Sequence, residues 1–474
     1  VRPLPVRLGL ALLSGILFYF TFNLTPLWYA AWLAPIPLLL AAYHSSYRQA
    51  MLMSWLAAAI GLSSNFTYYL KTTGPAATVP LLLLQVLMWG FLILRARGAV
   101  LRWQSWWVVF VYPTLCAAVG TLVFTFSPHG TWGSFAYTQM DALPVIQLAS
   151  AFGAPAVTFV VALFSSTVSV ALYRGAHIQR PWLAYGISSF LIAAALLFGI
   201  ARLAIAPVGP RIRVGLASVD DFIGPRMPAQ LNAAVWQRYA EIVGALAKDG
   251  ARMVVLPEKI SALPAADIEN RQLQLASLAR SNHIYLVAGL QLNHPDRKDN
   301  ALWLFNPEGE LVTEYHKQHL VPYLENDLTP GHQDSVSGIE GSNFGLAICR
   351  DLFFTHLGRH YGRLGVSAVL VPGWDFYRDA WMASGVAALV GVENGYAVVR
   401  AGRESYLNVS ERYGRTIARK RSENLPGASL IADLPLGPAK PTLYARFGDV
   451  FGWLCVALSV WFLVRLSSGT TLRP

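Results

Sequence analysis

Charge in this chain is confined to one stretch, and that limits what the chain can fold into. Between residues 207 and 448 lie 25 Lys and Arg and 24 Asp and Glu, whereas the rest holds only 12 basic and 2 acidic residues. The uncharged remainder is a series of apolar runs, at 8–24, 28–43, 50–70, 78–94, 106–126, 154–173, 182–205 and 449–466. About 20 apolar residues cross a hydrocarbon core as a helix, so the pattern predicts a polytopic helical membrane domain of about eight spans. The whole chain, 54% hydrophobic and 13% charged, falls well below the ~25% charge of ordinary soluble domains.

The net charge of +11 suggests a nucleic-acid binder until the charges are located. The 207–448 segment is nearly neutral, and the excess sits at span ends. With the N-terminus in the cytoplasm, Arg2, Arg7, Arg48, Arg95, Arg97, Arg102, Arg174, Arg180, Arg465 and Arg473 all fall inside, as the positive-inside rule requires. The polar segment then lies on the outer face with both termini cytoplasmic, and no nucleic-acid partner is expected. No cleavable signal is expected either, because the first apolar run leads straight into another. Asn65 suits an interhelical hydrogen bond. The loop 127–153, rich in Gly and aromatics, reads equally well as an interfacial belt or as the wall of a cleft.

Within 207–448 apolar strands alternate with amphipathic helices. Strands are expected at 212–219, 252–256, 284–290, 301–306, 311–315, 344–349, 368–372, 396–401 and 428–433. Helices are expected at 229–248, 266–282 and 378–394, with another between the Cys349 strand and 368. Strands apolar on both faces interleaved with helices give a layered α/β fold with its site at strand ends. The basic run Arg412, Arg415, Arg419, Lys420 and Arg421 reads as a solvated loop or as a contact for lipid headgroups.

Three strand ends carry candidate chemistry. Cys349 closes an apolar strand and is followed at once by Arg350 and Asp351; Cys116 and Cys455 lie in apolar runs, so a disulfide partner is lacking. Glu258 follows a strand and a proline. Lys317 stands in His316-Lys317-Gln318-His319-Leu320-Val321-Pro322-Tyr323-Leu324-Glu325. Singly these read as a buried thiol, a solvated carboxylate and a snorkelling lysine. Together they suit acyl transfer. A thiol needs a base to become a nucleophile, which Glu258 in a partly desolvated cleft supplies. The tetrahedral oxyanion needs fixed positive partners, for which Lys317 and the backbone N–H of Arg350 are candidates. Glu325 is placed to hold Lys317 charged and to relay a proton.

The order and context of these residues resemble the Glu–Lys–Cys triad of the nitrilase (carbon–nitrogen hydrolase) superfamily, and within it the apolipoprotein N-acyltransferase family. The resemblance rests on Leu256-Pro257-Glu258, on Lys317-x-His319-Leu320-Val321-Pro322 with Glu325 beyond it, on Thr329-Pro330-Gly331 and on the Cys349 strand. Gly133, Tyr137, Gln139 and Gln147-Leu148-Ala149 in the outer loop add to it. It implies a membrane domain over 1–206, a nitrilase-like αββα sandwich over 207–448 on the periplasmic face of a bacterial inner membrane, and a last span with a tail over 449–474. It also implies a ping-pong reaction: a phospholipid acyl chain forms a thioester on Cys349 and passes to the N-terminal amine of a diacylglyceryl-lipoprotein. Catalytic Glu258, Lys317 and Cys349, supporting Glu325, Arg350 and Asp351, and substrate-binding Tyr323, Trp374 and His319 follow from it. The chain departs from the family at Arg350-Asp351, where tyrosine and glutamate are usual, at Leu324, where glycine is usual, and at Gly373-Trp374-Asp375-Phe376. Aspartate two residues after the cysteine favours an alternative, a membrane-anchored amidase that hydrolyses a C–N bond. Membrane lipids are expected partners, and no cofactor or metal is expected.

Overall fold

The computed structural model describes residues 3–205, 209–437 and 440–468. Arg2, Arg473 and the expected 206/207 boundary lie outside the described residues. The chain divides into two compact units, one formed by Val1–Ala204 with Phe447–Pro474, the other by Ile205–Arg446.

The first unit is helical. Among the described residues, six stretches are long and apolar enough to cross a membrane: Leu4–Phe22, Tyr47–Arg102, Trp106–Phe126, Ala154–Arg174, Pro181–Leu203 and Val450–Ser467. The difference from eight has two local causes. The run 28–43 breaks into Trp28–Leu33 and Pro35–Tyr43, because Pro35 lacks the N–H that would continue the first helix. The runs 50–70 and 78–94 join, through a 3-10 turn at Ser63–Asn65, into one stretch whose helical geometry breaks at Gly74 (φ 75°, ψ 168°), ahead of Pro75. Leu13, Ile16, Leu84, Phe190, Leu197 and Val464 are exposed on these helices, as lipid-facing side chains would be. Basic residues cap helix-end carbonyls: Arg7 donates to His44 O at 3.0 Å, Arg97 to Ala42 O at 2.9 Å, Arg174 to Val100 O at 2.6 Å, and Arg102 to Leu466 O. Asn65 Nδ2 donates to Phe22 O at 2.6 Å, the interhelical bond expected of it. The 127–153 loop folds into this unit: Gln139 is buried, accepting from Trp32 Nε1 at 2.8 Å and donating to Trp28 O at 2.9 Å.

The second unit is built on two sheets. The strands are β1 (Arg211–Ser218), β2 (Met253–Val255), β3 (Ala262–Pro264), β4 (Tyr285–Asn293), β5 (Lys298–Phe305), β6 (Leu311–His316), β7 (Ser335–Ile339), β8 (Ser342–Leu346), β9 (Ala368–Trp374), β10 (Ala397–Arg403), β11 (Tyr406–Ser410), β12 (Thr416–Arg421) and β13 (Ala428–Pro435). One sheet runs β13-β1-β2-β4-β5-β6 with β3 beside β4, the other β12-β11-β10-β9-β8-β7. Side chains alternate across each strand, and the sequence is apolar in both phases. Val214, Leu216 and Val255 therefore meet Phe344, Leu346, Leu370 and Val399 in one core between the sheets. Val254, Leu256, Leu286 and Ala288 pack on Val235, Tyr239, Ile242 and Leu275 of the helices Ala229–Lys248 and Ile268–Asn282. The helix Ala380–Asn394 covers β10 and β11 of the second sheet, with Thr355–Leu364 against it. The layers are α, β, β, α.

One expectation needs correcting. The basic run at 412–421 is a loop only in its first part: Arg412 and Arg415 lie in the turn after β11, whereas Thr416–Arg421 forms β12, paired antiparallel with β11 from Tyr406↔Arg421 to Ser410↔Thr416. Cation–aromatic contacts help it extend, with Arg419 and Arg421 at 5.2 and 5.0 Å from the Tyr406 ring.

Candidate active site

Glu258 stands where β2 ends. Leu256 N donates to Val287 O at 2.8 Å and Gly289 N to Pro257 O at 3.1 Å, which ties the carboxylate's backbone to β4. The approach is close enough that a Cβ on Gly289 would lie 2.7 Å from Glu258 Cα, so only glycine fits. Lys317 follows β6 directly, and its N–H donates to Asn300 O on β5 at 2.9 Å. Cys349 opens a 3-10 turn (Cys349–Phe353) after β8, with φ at +45°, a left-handed conformation unusual for a residue with a side chain. Its thiol donates to Trp374 O at 3.6 Å, at the end of β9.

These elements bring four charged groups together in the interior. Lys317 Nζ donates to Glu258 Oε1 and to Glu325 Oε2, both at 2.8 Å, and Lys259 Nζ donates to Glu325 Oε1 at 2.6 Å. Asn300 Nδ2 joins the carboxylates, at 2.7 Å from Glu258 Oε1 and 2.9 Å from Glu325 Oε1. Lys317 is 1% exposed, Glu258 and Glu325 2%. Buried charges persist only when paired and hydrogen-bonded in this way.

The two glutamates are not equivalent. Val321 N donates to Glu325 Oε2 at 2.8 Å, so each Glu325 oxygen accepts two bonds, and its carboxyl is full. Glu258 takes both of its bonds on Oε1, and its Oε2 accepts no hydrogen bond from the described residues. Glu258 is therefore the carboxylate with an acceptor position open to a proton. The Glu325 carboxylate, with its four acceptor positions occupied, anchors both lysines.

Electrostatics agree. Burial, and then the charge of Glu258, push the Cys349 thiol well up, although Lys317 opposes them. The thiol is therefore neutral at neutral pH, and nucleophilic chemistry at this sulfur would need a base to take its proton. Burial alone would lower Lys317, but Glu258 and Glu325 outweigh it and keep the ammonium charged. Burial would raise Glu325, but Lys317 and Lys259 hold it at about 2.

Asp351 is the joint between the thiol and the lysine. Its carboxylate, 0% exposed, accepts from Ile348 N at 3.1 Å, Tyr315 OH at 2.8 Å, Gln318 N at 3.2 Å and His319 N at 2.9 Å, with His319 Nδ1 at 3.0 Å. One side chain thus fixes the Cys349 turn to the segment after Lys317. Arg350 turns away along the same segment, donating to Leu320 O at 2.6 Å. His319 is held by Asp351 and stacks on Phe354 at 3.6 Å. Of the residues expected to bind substrate, Trp374 lies against the thiol through its carbonyl, whereas Tyr323 is 67% exposed with φ at +71°.

Three participants escaped the sequence reading. Lys259 was adjacent to Glu258 and could have been noticed as a second cation. Asn300 gave no local signal. The third is a buried clamp under Trp374: Arg400 Nη2 donates to Asp375 Oδ1 at 2.8 Å and Nη1 to Ser405 Oγ at 3.0 Å, and Ser405 donates to Asp375. A Cβ on Gly373 would come within 2.6 Å of that guanidinium, so the glycine there makes room for it.

Known proteins share both halves of this architecture. Residues 14–167 match the apolipoprotein N-acyltransferase N-terminal domain and residues 223–408 match carbon-nitrogen hydrolase. The apolipoprotein N-acyltransferase of Geobacter metallireducens is 26% identical over 507 aligned residues, covering 94% of this chain and 93% of its own. That of Bradyrhizobium diazoefficiens is 25% identical over 390 residues, 70% of this chain and 69% of its own. Nitrilase homolog 2 of Dictyostelium discoideum is 29% identical over 149 residues, only 27% of this chain and 45% of its own. A nitrilase-type relative thus matches a part, while the two relatives that run through both units share one description, apolipoprotein N-acyltransferase, and the two domain matches agree with it: an apolipoprotein N-acyltransferase N-terminal domain followed by a carbon-nitrogen hydrolase domain.

Proposed function

We propose that this protein moves a fatty acyl chain from a phospholipid to the N-terminal amine of a lipoprotein's diacylglyceryl-cysteine, carrying it on Cys349 as a thioester. The observation that carries the proposal is the Glu258–Lys317 pair beside a neutral thiol, with one Glu258 oxygen unengaged. In the first half-reaction Glu258 takes the thiol proton as sulfur attacks the ester carbonyl. Lys317 and the backbone N–H of Arg350 stabilise the oxyanion. The tetrahedral adduct expels the lysophospholipid alcohol, which receives the proton from Glu258. In the second the amine attacks the thioester, Glu258 takes its proton, and the thiol is restored. Glu325 keeps Lys317 charged and aimed, and Asp351 keeps Cys349 in register with it.

The same reading places the protein in a bacterial inner membrane. Its α/β unit is on the outer face and both termini are in the cytoplasm, with the runs at 28–43 and 50–94 completing eight crossings. Support comes from the basic residues at helix ends and from the homologous membrane enzymes.

Intact-protein mass spectrometry of the detergent-purified chain with added phospholipid tests the chemistry. A hydroxylamine-labile fatty-acyl mass on the Cys349 peptide is expected, and Cys349→Ala should abolish it. A second reading, hydrolysis of an amide by the same thiol, is favoured by Arg350-Asp351 and by the nitrilase-type relative. It requires turnover with water and no amine, and no lasting lipid thioester.

A further inference from the structure

Lys259 has no part in the chemistry just described, yet the fold holds it in an unusual state. Its φ is +46°, a conformation that costs a side-chain-bearing residue energy unless the surroundings fix it. They do: Arg403 Nη1 donates to Lys259 O at 3.1 Å, and Ile260 N donates to Gly289 O at 2.9 Å. Arg403 is itself held flat on Trp374, 3.7 Å from the ring centre. The result directs the Lys259 side chain inward, with Nζ 5.2 Å from the Trp374 ring and 2.6 Å from Glu325 Oε1. Its side chain is 11% exposed.

The second ammonium changes the charge balance. Glu258 and Glu325 share Lys317, so without Lys259 two carboxylates would compete for one cation. With it, two anions face two cations. From the proposed function, on which the argument rests, Lys317 is needed by Glu258 and by the oxyanion. We propose that Lys259 is a positioning residue: its ammonium holds Glu325 as a fixed counter-ion and leaves Lys317 to serve Glu258 and the thiol. The charged and titratable groups facing Glu325 are Lys317 from the end of β6, Lys259 from the turn after β2, and Arg350 from the turn after β8; Cys349 and Glu258 complete the cluster. Asp375 and Arg400 neutralise each other nearby.

The sign follows from removing one positive charge. The thiol becomes harder to deprotonate, so the rising limb of Cys349 reactivity moves to higher pH, by about one unit for an opposite charge lost within a few ångströms. The test is the rate of iodoacetamide labelling of the detergent-purified full chain along the rising limb, from pH 7 to about pH 10, followed on the Cys349 peptide; it needs neither lipid donor nor amine acceptor. Lys259→Met should displace the limb upward by about one unit, read as labelling about tenfold slower at a given pH, and Lys259→Arg should restore the wild-type profile. Lys259→Gln, which keeps a donor but no charge, should shift as Met does and serves if the Met variant does not fold. In a Glu325→Gln background, where no carboxylate is left for Lys259 to hold, Lys259→Met should shift the profile less than it does in the wild type. A wild-type profile in a folded neutral variant, or an Arg variant shifted as far as Met, would overturn the proposal. Because labelling is independent of the acyl donor, a shifted profile without any lipid thioester would refute the proposed substrates and leave this role of Lys259 standing.

Discussion

Two buried ionic clusters lie beside the thiol and work in opposite ways. Lys317, Glu258, Glu325 and Lys259 form one, Arg400, Asp375 and Ser405 the other. Both are almost wholly enclosed. The first is made of lysines and carboxylates, point charges whose protons can move, and one carboxylate oxygen is left open. The second is a guanidinium that does not deprotonate, bound in a planar fork with every Asp375 oxygen engaged. Burial of charge alone therefore does not mark a reactive site. An open acceptor beside a nucleophile does.

The comparison is sharpened most by removing one cation from each cluster. Lys317→Met should lower the rate of Cys349 acylation per folded molecule by about 10³-fold, the scale for loss of an oxyanion partner. Arg400→Met should instead cost mainly stability, with the surviving folded fraction still acylating. Single-turnover labelling with a phospholipid donor, normalised to folded protein, measures both, and equal losses would break the distinction. Next in size is Asp375→Asn, which leaves a guanidinium buried without its counter-ion. It should destabilise the α/β unit by about 3–5 kcal/mol, read by denaturant unfolding. The smallest effect is in acid. Glu325 is held at about 2 against an ordinary 4.5, so its contribution to stability is complete above about 4.5 and is lost as pH falls toward 2. Melting temperature should fall through that window, and Glu325→Gln should flatten the fall.

How much of this was legible in the sequence depended on whether the signal was local. The helix 229–248 was readable because Val235, Tyr239, Ile242, Val243 and Leu246 recur on one face, and Ala229–Lys248 is what forms. The strands ending at Glu258 and before Cys349 were readable as apolar runs cut short by polar residues. The β11–β12 hairpin was not, because charged Arg419, Lys420 and Arg421 hide a strand from any hydropathy argument. Lys259, Asn300 and the Arg400–Asp375 clamp were missed for another reason. Their partners lie far away in sequence, Glu325 being 66 residues beyond Lys259, and no periodicity reports such a pairing. The number of long apolar helices departs from the expected eight runs at Pro35 and Gly74, where hydropathy is blind to backbone geometry.

Asp351 has a further consequence, for how the site opens. Its carboxylate gathers the amides of Ile348, Gln318 and His319, which come from different strands' ends. Those amides cannot exchange with solvent one segment at a time, since releasing either segment strips the same buried anion of its partners. The nucleophile's turn and the lysine's segment therefore form a single opening unit, and a fluctuation that exposes one exposes the other. The site is present or absent as a whole.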